Sequence, residues 1–161
     1  MIIGIDPGKK GSIAVYNGKK WVAHKIPLEK VMGKERTNLV ALTEILKAQQ
    51  IWLRERVWLE SVHAMPGQGV TSMFSFGRSV GQLEGIIIAL GMGPINYVTP
   101  QTWQKALLGP TKGRSKELAL EFILSQFSDL PHWMINKRGK VIEQYVDAMC
   151  IAYYGFKYGK I

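Results

Sequence analysis

Cysteine is almost absent from this chain, since Cys150 is the single one among 161 residues. One thiol cannot form an internal disulfide, so the fold must be stable without one. No uncharged apolar run reaches the roughly 18 residues that a membrane-spanning helix needs, and no basic region precedes an apolar segment at the amino terminus. We therefore expect a soluble, cytoplasmic protein with no membrane partner.

Acidic residues are scarce relative to basic ones. The sequence holds 12 Asp and Glu against 21 Lys and Arg, which gives a formal net charge of +9. Such a surface attracts polyanions, with nucleic acid the first candidate and an anionic membrane surface the second. The length and a hydrophobic fraction of 47% allow a substantial core. We expect one domain over residues 1–161.

The apolar pattern predicts an α/β fold with a mixed sheet. A hairpin-first meander, marked by Asn17-Gly18, is followed by helices that alternate with short strands. Strands are predicted at 1–6, 12–16, 21–26, 57–60 and 95–98. Helices are predicted at 38–50, 71–90, 102–108, 115–127 and 141–154.

Carboxylates occur where apolar elements end. Asp6 ends an apolar strand before the Pro7-Gly8 turn, Glu60 ends a second strand, and Asp147 lies in an apolar helix. Glu143 precedes Asp147 by one helical turn and is expected on the same face. A buried, unpaired carboxylate costs several kcal/mol, roughly, so these groups need partners. An all-oxygen set without paired His or Cys suits Mg²⁺ or Mn²⁺ rather than zinc.

Each carboxylate also has an interpretation that needs no metal. The alternatives are an Asx turn at Gly8 for Asp6, an ordinary strand end for Glu60, a cap or an ion pair with Lys140 or Lys157 for Asp147, and a solvated first-turn position for Glu143. The coincidence of several such carboxylates favours the metal interpretation.

Five segments resemble the RuvC family of Holliday junction resolvases, most closely its phage and prophage members. They are GIDPG at 4–8, WLESV at 58–62, FGRSVGQLEG at 76–85, YVTPQTW at 97–103 and VDA at 146–148. The match spans essentially the whole chain. It implies a ribonuclease H-like fold, with a mixed five-stranded sheet flanked by helices, and a homodimer. It also implies Mg²⁺-dependent cutting of two opposed strands of a four-way DNA junction.

The resemblance assigns metal-ligand and catalytic roles to the acidic residues. Asp6 matches the first-strand ligand, Glu60 the mid-sheet ligand and Asp147 the last-helix aspartate. Glu143 is the candidate fourth ligand, because Gln144 stands where many members have an aspartate. Two Mg²⁺ ions per active site are expected, about 3.5–4 Å apart, and Mn²⁺ is expected to substitute.

Basic and aromatic positions match the family in part. Lys116 falls where the family has a lysine near the cleaved strand, and it is expected to offset charge at the scissile phosphate. The predicted DNA-binding residues are Lys9, Lys10, His63, Lys105, Lys112, Arg114 and Lys116. His63 stands where some bacterial members carry an aromatic that stacks on a junction base. Met65 and Phe74 are alternatives for that role, with core packing the other interpretation of Phe74.

Two further features are left open by the sequence. Lys137, Arg138 and Lys140 form a basic cluster before the last helix, and they either contact phosphate or form a solvated face. The helix predicted at 71–90 carries three glycines at four-residue intervals, Gly77, Gly81 and Gly85. In the resembling family this helix helps to form the dimer interface, and the alternative is close packing on the chain's own sheet.

We expect a structure-selective endonuclease that resolves four-way junctions inside a bacterial host cell, with a phage origin left open. One alternative is a less selective branched-DNA or flap endonuclease, and another is a junction-binding protein with weak cleavage. An actin-type or hexokinase-type ATPase needs roughly twice this length for its two-domain cleft. No nucleotide cofactor is therefore expected.

Overall fold

A five-stranded sheet forms the centre of the molecule. The computed structural model describes residues 1–49, 56–61, 63, 67, 69–127 and 131–159. The sheet strands are β1 (Ile2–Asp6), β2 (Ser12–Tyr16), β3 (Trp21–Lys25), β6 (Arg56–Glu60) and β7 (Ile95–Val98). A separate hairpin is formed by β4 (Leu28–Val31) and β5 (Lys34–Thr37).

The strand order is β3-β2-β1-β6-β7, and the sheet is mixed. β1 to β3 form an antiparallel meander, whereas β6 runs parallel to both β1 and β7. Ile5 of β1 pairs with Leu59 of β6, so the next residues, Asp6 and Glu60, lie side by side at the ends of adjacent strands. The predicted mixed sheet is confirmed.

Helices cover both faces of this sheet. They are α1 (Leu39–Ala48), α2 (Val70–Ala89), α3 (Pro100–Leu108), α4 (Ser115–Leu124) and α5 (Val146–Tyr158). α1 and α2 pack on the face that carries Ile3 and Ile5, and α3, α4 and α5 pack on the other. None of the described helices is long and apolar enough to cross a membrane.

Helix α5 lies unusually close to β1. A Cβ at Gly4 would collide with the backbone of Ala148 and Ala152, so only glycine permits this approach. Strand side chains alternate between faces, so Asp6 lies on the same face of the sheet as Gly4. The contact therefore holds the first turn of α5, with Asp147, over the end of β1.

The β4–β5 hairpin has no counterpart in the sequence prediction. Its turn residues Met32 and Gly33 have φ values of 50° and 75°, the left-handed pair that a two-residue hairpin turn requires. The two strands are short, charged and mostly exposed. They therefore lack the apolar alternation by which the other strands were found.

The helix predicted at 141–154 begins later, so that prediction is wrong at its start. Val141 forms a β-bridge with Ile135, and the Ile142 N–H donates to the Met134 carbonyl at 2.7 Å. A 3₁₀ turn, Glu143–Tyr145, then leads into α5. Extended pairing fixes the backbone up to residue 142, so Glu143 lies in the 3₁₀ turn and not in the α-helix that carries Asp147.

Candidate active site

Three carboxylates converge at one edge of the sheet. Asp6 and Glu60 end neighbouring parallel strands, and Asp147 lies in the first turn of α5. All three side chains are partly buried. The helix dipole favours a negative charge at the position of Asp147. This edge therefore concentrates acidic groups in a protein whose surface is otherwise basic.

Asp6 is the carboxylate of the three whose pKa is shifted most. Its pKa is raised from 3.8 to about 8. Burial is the largest cause, the charges of Glu60 and Asp147 add to it, and the charge of Lys116 offsets part of the rise. At neutral pH and without a cation, Asp6 therefore holds a proton. A divalent ion would favour the ionised form by displacing that proton.

Glu60 is held by a tryptophan. The indole Nε1–H of Trp103 donates to Glu60 Oε1 at 2.9 Å, and Trp103 is 1% exposed. Burial raises the pKa of Glu60, this hydrogen bond lowers it, and the charge of Asp147 raises it. No role was predicted for Trp103. The feature that could have indicated one is its place at the polar start of α3, within the resembling segment 97–103.

Lys116 counterbalances the acidic group from α4. Burial raises the pKa of Asp147, and the ammonium of Lys116 lowers it. Lys116 also lowers the pKa of Asp6, although its own side chain is exposed. Lys116 is thus the lysine whose charge acts on both carboxylates, as a group facing a phosphate between them would.

The 3₁₀ turn that precedes Asp147 is hydrogen-bonded to the turn after β1. Ser12 Oγ donates to the Gln144 carbonyl at 2.8 Å, and Gln144 Nε2 donates to the Gly11 carbonyl at 3.2 Å. Ser12 is fully buried and pairs with Asp6 across the β1–β2 ladder. These bonds fix the position of Asp147 relative to Asp6.

Glu143, the predicted fourth ligand, has no electrostatic effect on the pKa of the other three carboxylates. Glu143 is exposed in the 3₁₀ turn, and it is absent from the causes of the pKa shifts of Asp6, Glu60 and Asp147. The adjacent Gln144 side chain is occupied by the Gly11 carbonyl. The role of Glu143 as a metal ligand stays a prediction.

The donor set suits a hard divalent cation. Within the described ranges, no three Asp, Glu, His or Cys side chains are grouped tightly enough to bind one ion together. Mg²⁺ is commonly bound by one or two carboxylates, with waters and substrate phosphates as its other ligands. The all-oxygen chemistry and the raised pKa of Asp6 therefore fit a hard divalent cation.

The predicted DNA-binding lysines lie in turns and helices around this edge. Lys9 and Lys10 are exposed in the turn after Asp6. Lys105 lines an open groove of about 510 Å³ between α3 and the loop that follows it. Lys112 is exposed in that loop, whereas Arg114 forms an ion pair with Glu117 at 2.7 Å. The charge of Arg114 is therefore partly neutralised on its own helix.

The candidates for base stacking differ in accessibility. His63 is exposed, and Met65 lies outside the described residues. Phe74 is 71% exposed on α2, so the core-packing interpretation of Phe74 is wrong. Its ring is free to contact DNA or another protein surface.

The glycine stripe of α2 faces open space. A Cβ placed on Gly77, Gly81 or Gly85 would meet no atom within 4 Å. Close packing of these glycines on the chain's own sheet is therefore excluded. The stripe is free for an approaching helix.

A mixed five-stranded sheet with helices on both faces and acidic residues at its edge defines the ribonuclease H-like fold class. The structure of Thermus thermophilus RuvC matches with a TM-score of 0.59 at 17% identity, over 96% of this chain and 95% of that one. T. thermophilus RuvC in complex with a Holliday junction substrate gives 0.57 at 18% identity, over 94% and 89%. The yeast mitochondrial Holliday junction resolvase Ydc2 gives 0.50 at 14%, over 94% and 75%.

The sequence comparisons add nothing to this structural likeness. No family model matches the chain, and no curated protein matches it. At such identities, similarity to solved structures establishes the shared fold. The chain has the fold of RuvC, and its activity must be argued from its own site.

Proposed function

We propose that this protein is a metal-dependent endonuclease that resolves four-way DNA junctions by incising two opposed strands. The observation that carries the proposal is the convergence of Asp6, Glu60 and Asp147 beside Lys116 at one sheet edge. The likeness of the whole fold to two junction resolvases, one of them solved with its junction, supports this choice of substrate.

Asp6, Glu60 and Asp147 would hold the metal ions, with Glu143 a candidate fourth ligand. Asp6 and Glu60 lie on adjacent strands, so one ion can be shared between them, and Asp147 is available to a second. Bound Mg²⁺ would supply a hydroxide at neutral pH and neutralise charge on the phosphoryl oxygens. The Trp103 hydrogen bond limits the orientations that Glu60 can adopt.

The reaction is hydrolysis of a phosphodiester. The water oxygen forms a bond to phosphorus, the bond from phosphorus to the 3′ oxygen breaks, and a proton passes to that oxygen. The products are a 5′ phosphate and a 3′ hydroxyl, which a ligase can rejoin. The charge of Lys116 acts on Asp6 and Asp147, and it would offset the charge that builds on the phosphate.

Paired incision requires two active sites, and we propose that a homodimer supplies them. The open glycine stripe on α2 and the exposed Phe74 on the same helix support a contact through this helix. Lys9, Lys10, Lys105 and Lys112 are exposed around the site and would contact the phosphate backbone.

A substrate panel tests the proposal. Four-way junctions, Y-forks, flaps and linear duplexes of equal length are compared at equal concentration with Mg²⁺, and both cleavage and affinity are measured. We expect the junction to be bound most tightly at every salt concentration and to be cut in pairs. Equal cleavage of flaps and junctions would favour the less selective nuclease, and binding without Mg²⁺-dependent nicking would favour a junction-binding protein.

A further inference from the structure

A basic loop lies in the hairpin that precedes α5. Lys137, Arg138 and Lys140 are exposed at the tip of the hairpin that precedes α5. In the part of the chain that the structure describes, the ion pairs involve Arg36 and Arg114, and none involves this loop. Three positive charges therefore face solvent with no acidic partner among the described residues.

The loop has a defined backbone. Asn136 Oδ1 accepts hydrogen bonds from the N–H groups of Arg138 at 2.8 Å and Lys140 at 3.1 Å. The Asn136 N–H donates to the Lys140 carbonyl at 2.8 Å, and Gly139 adopts a φ of 73° to close the turn. A loop fixed in this way presents its charges with little loss of backbone entropy on binding.

The loop is also connected directly to the site. Lys140 precedes Gln144 by four residues, a distance of at most about 14 Å along the chain. Gln144 is bonded to Gly11 in the turn that carries Lys9 and Lys10. The contact between Gln144 and Gly11 thus links the two basic turns, which lets both of them contact one DNA arm.

We propose that loop 136–140 binds the phosphate backbone of the DNA substrate next to the carboxylate edge. The inference rests on the proposed function, since it names the path of the DNA across that site. Contacts of lysine and arginine with phosphate determine how tightly and in what position the DNA is bound, whereas the carboxylates would perform the cleavage. The competing interpretation is a solvated basic turn that contributes only to net charge.

The test compares two triple variants with the same change in charge. K137A/R138A/K140A removes the loop charges, and K19A/K20A/K47A removes three exposed charges at the opposite edge of the sheet. Affinity for a four-way junction is measured by fluorescence anisotropy across a salt titration without divalent metal. Circular dichroism establishes that both variants fold, and K137R/K140R, which keeps the charges, provides a second check.

We expect the loop variant to lower the slope of log affinity against log salt by up to about 2.7, roughly 0.9 for each lost contact. The control variant should change the slope by less than about one such contact, and K137R/K140R should match the wild type. Equal slopes and affinities for the two triple variants would overturn the inference.

The outcomes separate this inference from the proposed function. If the wild type binds DNA through the loop but cuts no junction, the loop assignment stands and the nuclease assignment fails. If the wild type cuts junctions and the loop variant behaves as the control does, the loop assignment alone fails.

Discussion

Trp103 donates its indole N–H to the Glu60 carboxylate at 2.9 Å, from a position that is almost completely buried. This bond joins the first turns of α3 to the end of β6. It lowers the pKa of Glu60 against the opposing effect of burial, so it favours the ionised form that binds a cation. Removal of the hydrogen-bond partner of a metal ligand commonly lowers metal affinity or activity by about 10–100-fold.

Replacing Trp103 with Phe should raise the Mg²⁺ concentration needed for half-maximal cleavage by about 10-fold or more. Phenylalanine keeps an aromatic ring at this position but has no N–H group. Glu60 therefore loses a hydrogen-bond donor, and its pKa rises. A Mg²⁺ titration of junction cleavage measures the effect. Junction binding without metal should be unchanged.

Trp58→Phe is the matched control for this variant. Trp58 lies on the same strand as Glu60, and its Nε1 is buried without a hydrogen-bond partner among the described residues. Its substitution removes similar ring volume but no bond. Equal Mg²⁺ dependence in the two variants would mean that packing, rather than the hydrogen bond, is what Trp103 provides.

The raised pKa of Asp6 predicts a pH-dependent stability of the metal-free protein. Between about pH 4 and pH 8 the native state keeps the Asp6 proton and the unfolded state loses it, so stability falls as pH rises through this range. Asp6→Asn removes this dependence and should be more stable than wild type at pH 8. One pKa unit corresponds to about 1.4 kcal/mol, which sets an upper limit of about 6 kcal/mol.

Urea unfolding at pH 5 and pH 8, with and without Mg²⁺, measures this difference. The gain in unfolding free energy of Asp6→Asn over wild type should be larger at pH 8 than at pH 5, and it should shrink when Mg²⁺ is added. Glu44→Gln, at an exposed position on α1, is the control and should show no such pattern. An equal gain in stability at both pH values would contradict the raised pKa of Asp6.

Gly81→Leu should abolish the dimer without unfolding the chain. A side chain at this position meets no atom of its own protomer within 4 Å. Leu also favours a helix over Gly by roughly 0.5–1 kcal/mol, so the isolated fold should be at least as stable. Light scattering at micromolar concentration gives the oligomeric state, and thermal melting gives the stability. A wild-type monomer, or a dimeric variant, would exclude this contact.

Lys116→Ala should reduce cleavage by about 100-fold while changing junction affinity by less than about threefold. Its removal also raises the pKa of Asp6 and Asp147, so the pH profile of cleavage should move to higher pH. Lys105→Ala, at an exposed position on α3, should weaken binding modestly and leave the pH profile in place. Coincident pH profiles for wild type and Lys116→Ala would remove Lys116 from the site.

The sheet could be predicted because its strands are short, buried apolar runs that end at turn residues. Ile2–Asp6 and Ser12–Tyr16 agree with their predicted bounds to within one residue. The same runs located Asp6 and Glu60 at strand ends. The charged β4–β5 hairpin was missed because its exposed residues carry no burial pattern.

The rest of the site depends on tertiary contacts that no local pattern contains. The bond between Trp103 and Glu60 joins residues 43 positions apart. The start of α5 is displaced by a hairpin whose partner residues lie upstream, at Met134 and Ile135. The position of Glu143 outside the helix therefore could not be deduced from an i, i+4 spacing.

Incision of a four-way junction by Asp6→Asn, Glu60→Gln and Asp147→Asn shows whether these carboxylates carry the cleavage chemistry. Each variant is assayed with the wild type under single-turnover conditions in Mg²⁺, with a parallel binding measurement in EDTA. We expect the wild type to make paired, ligatable nicks only with Mg²⁺. Each variant should bind the junction as tightly as wild type or more tightly, because negative charge is lost, but should not cut it. Cleavage within threefold of wild type by any one variant, or loss of binding by all three, would contradict this prediction.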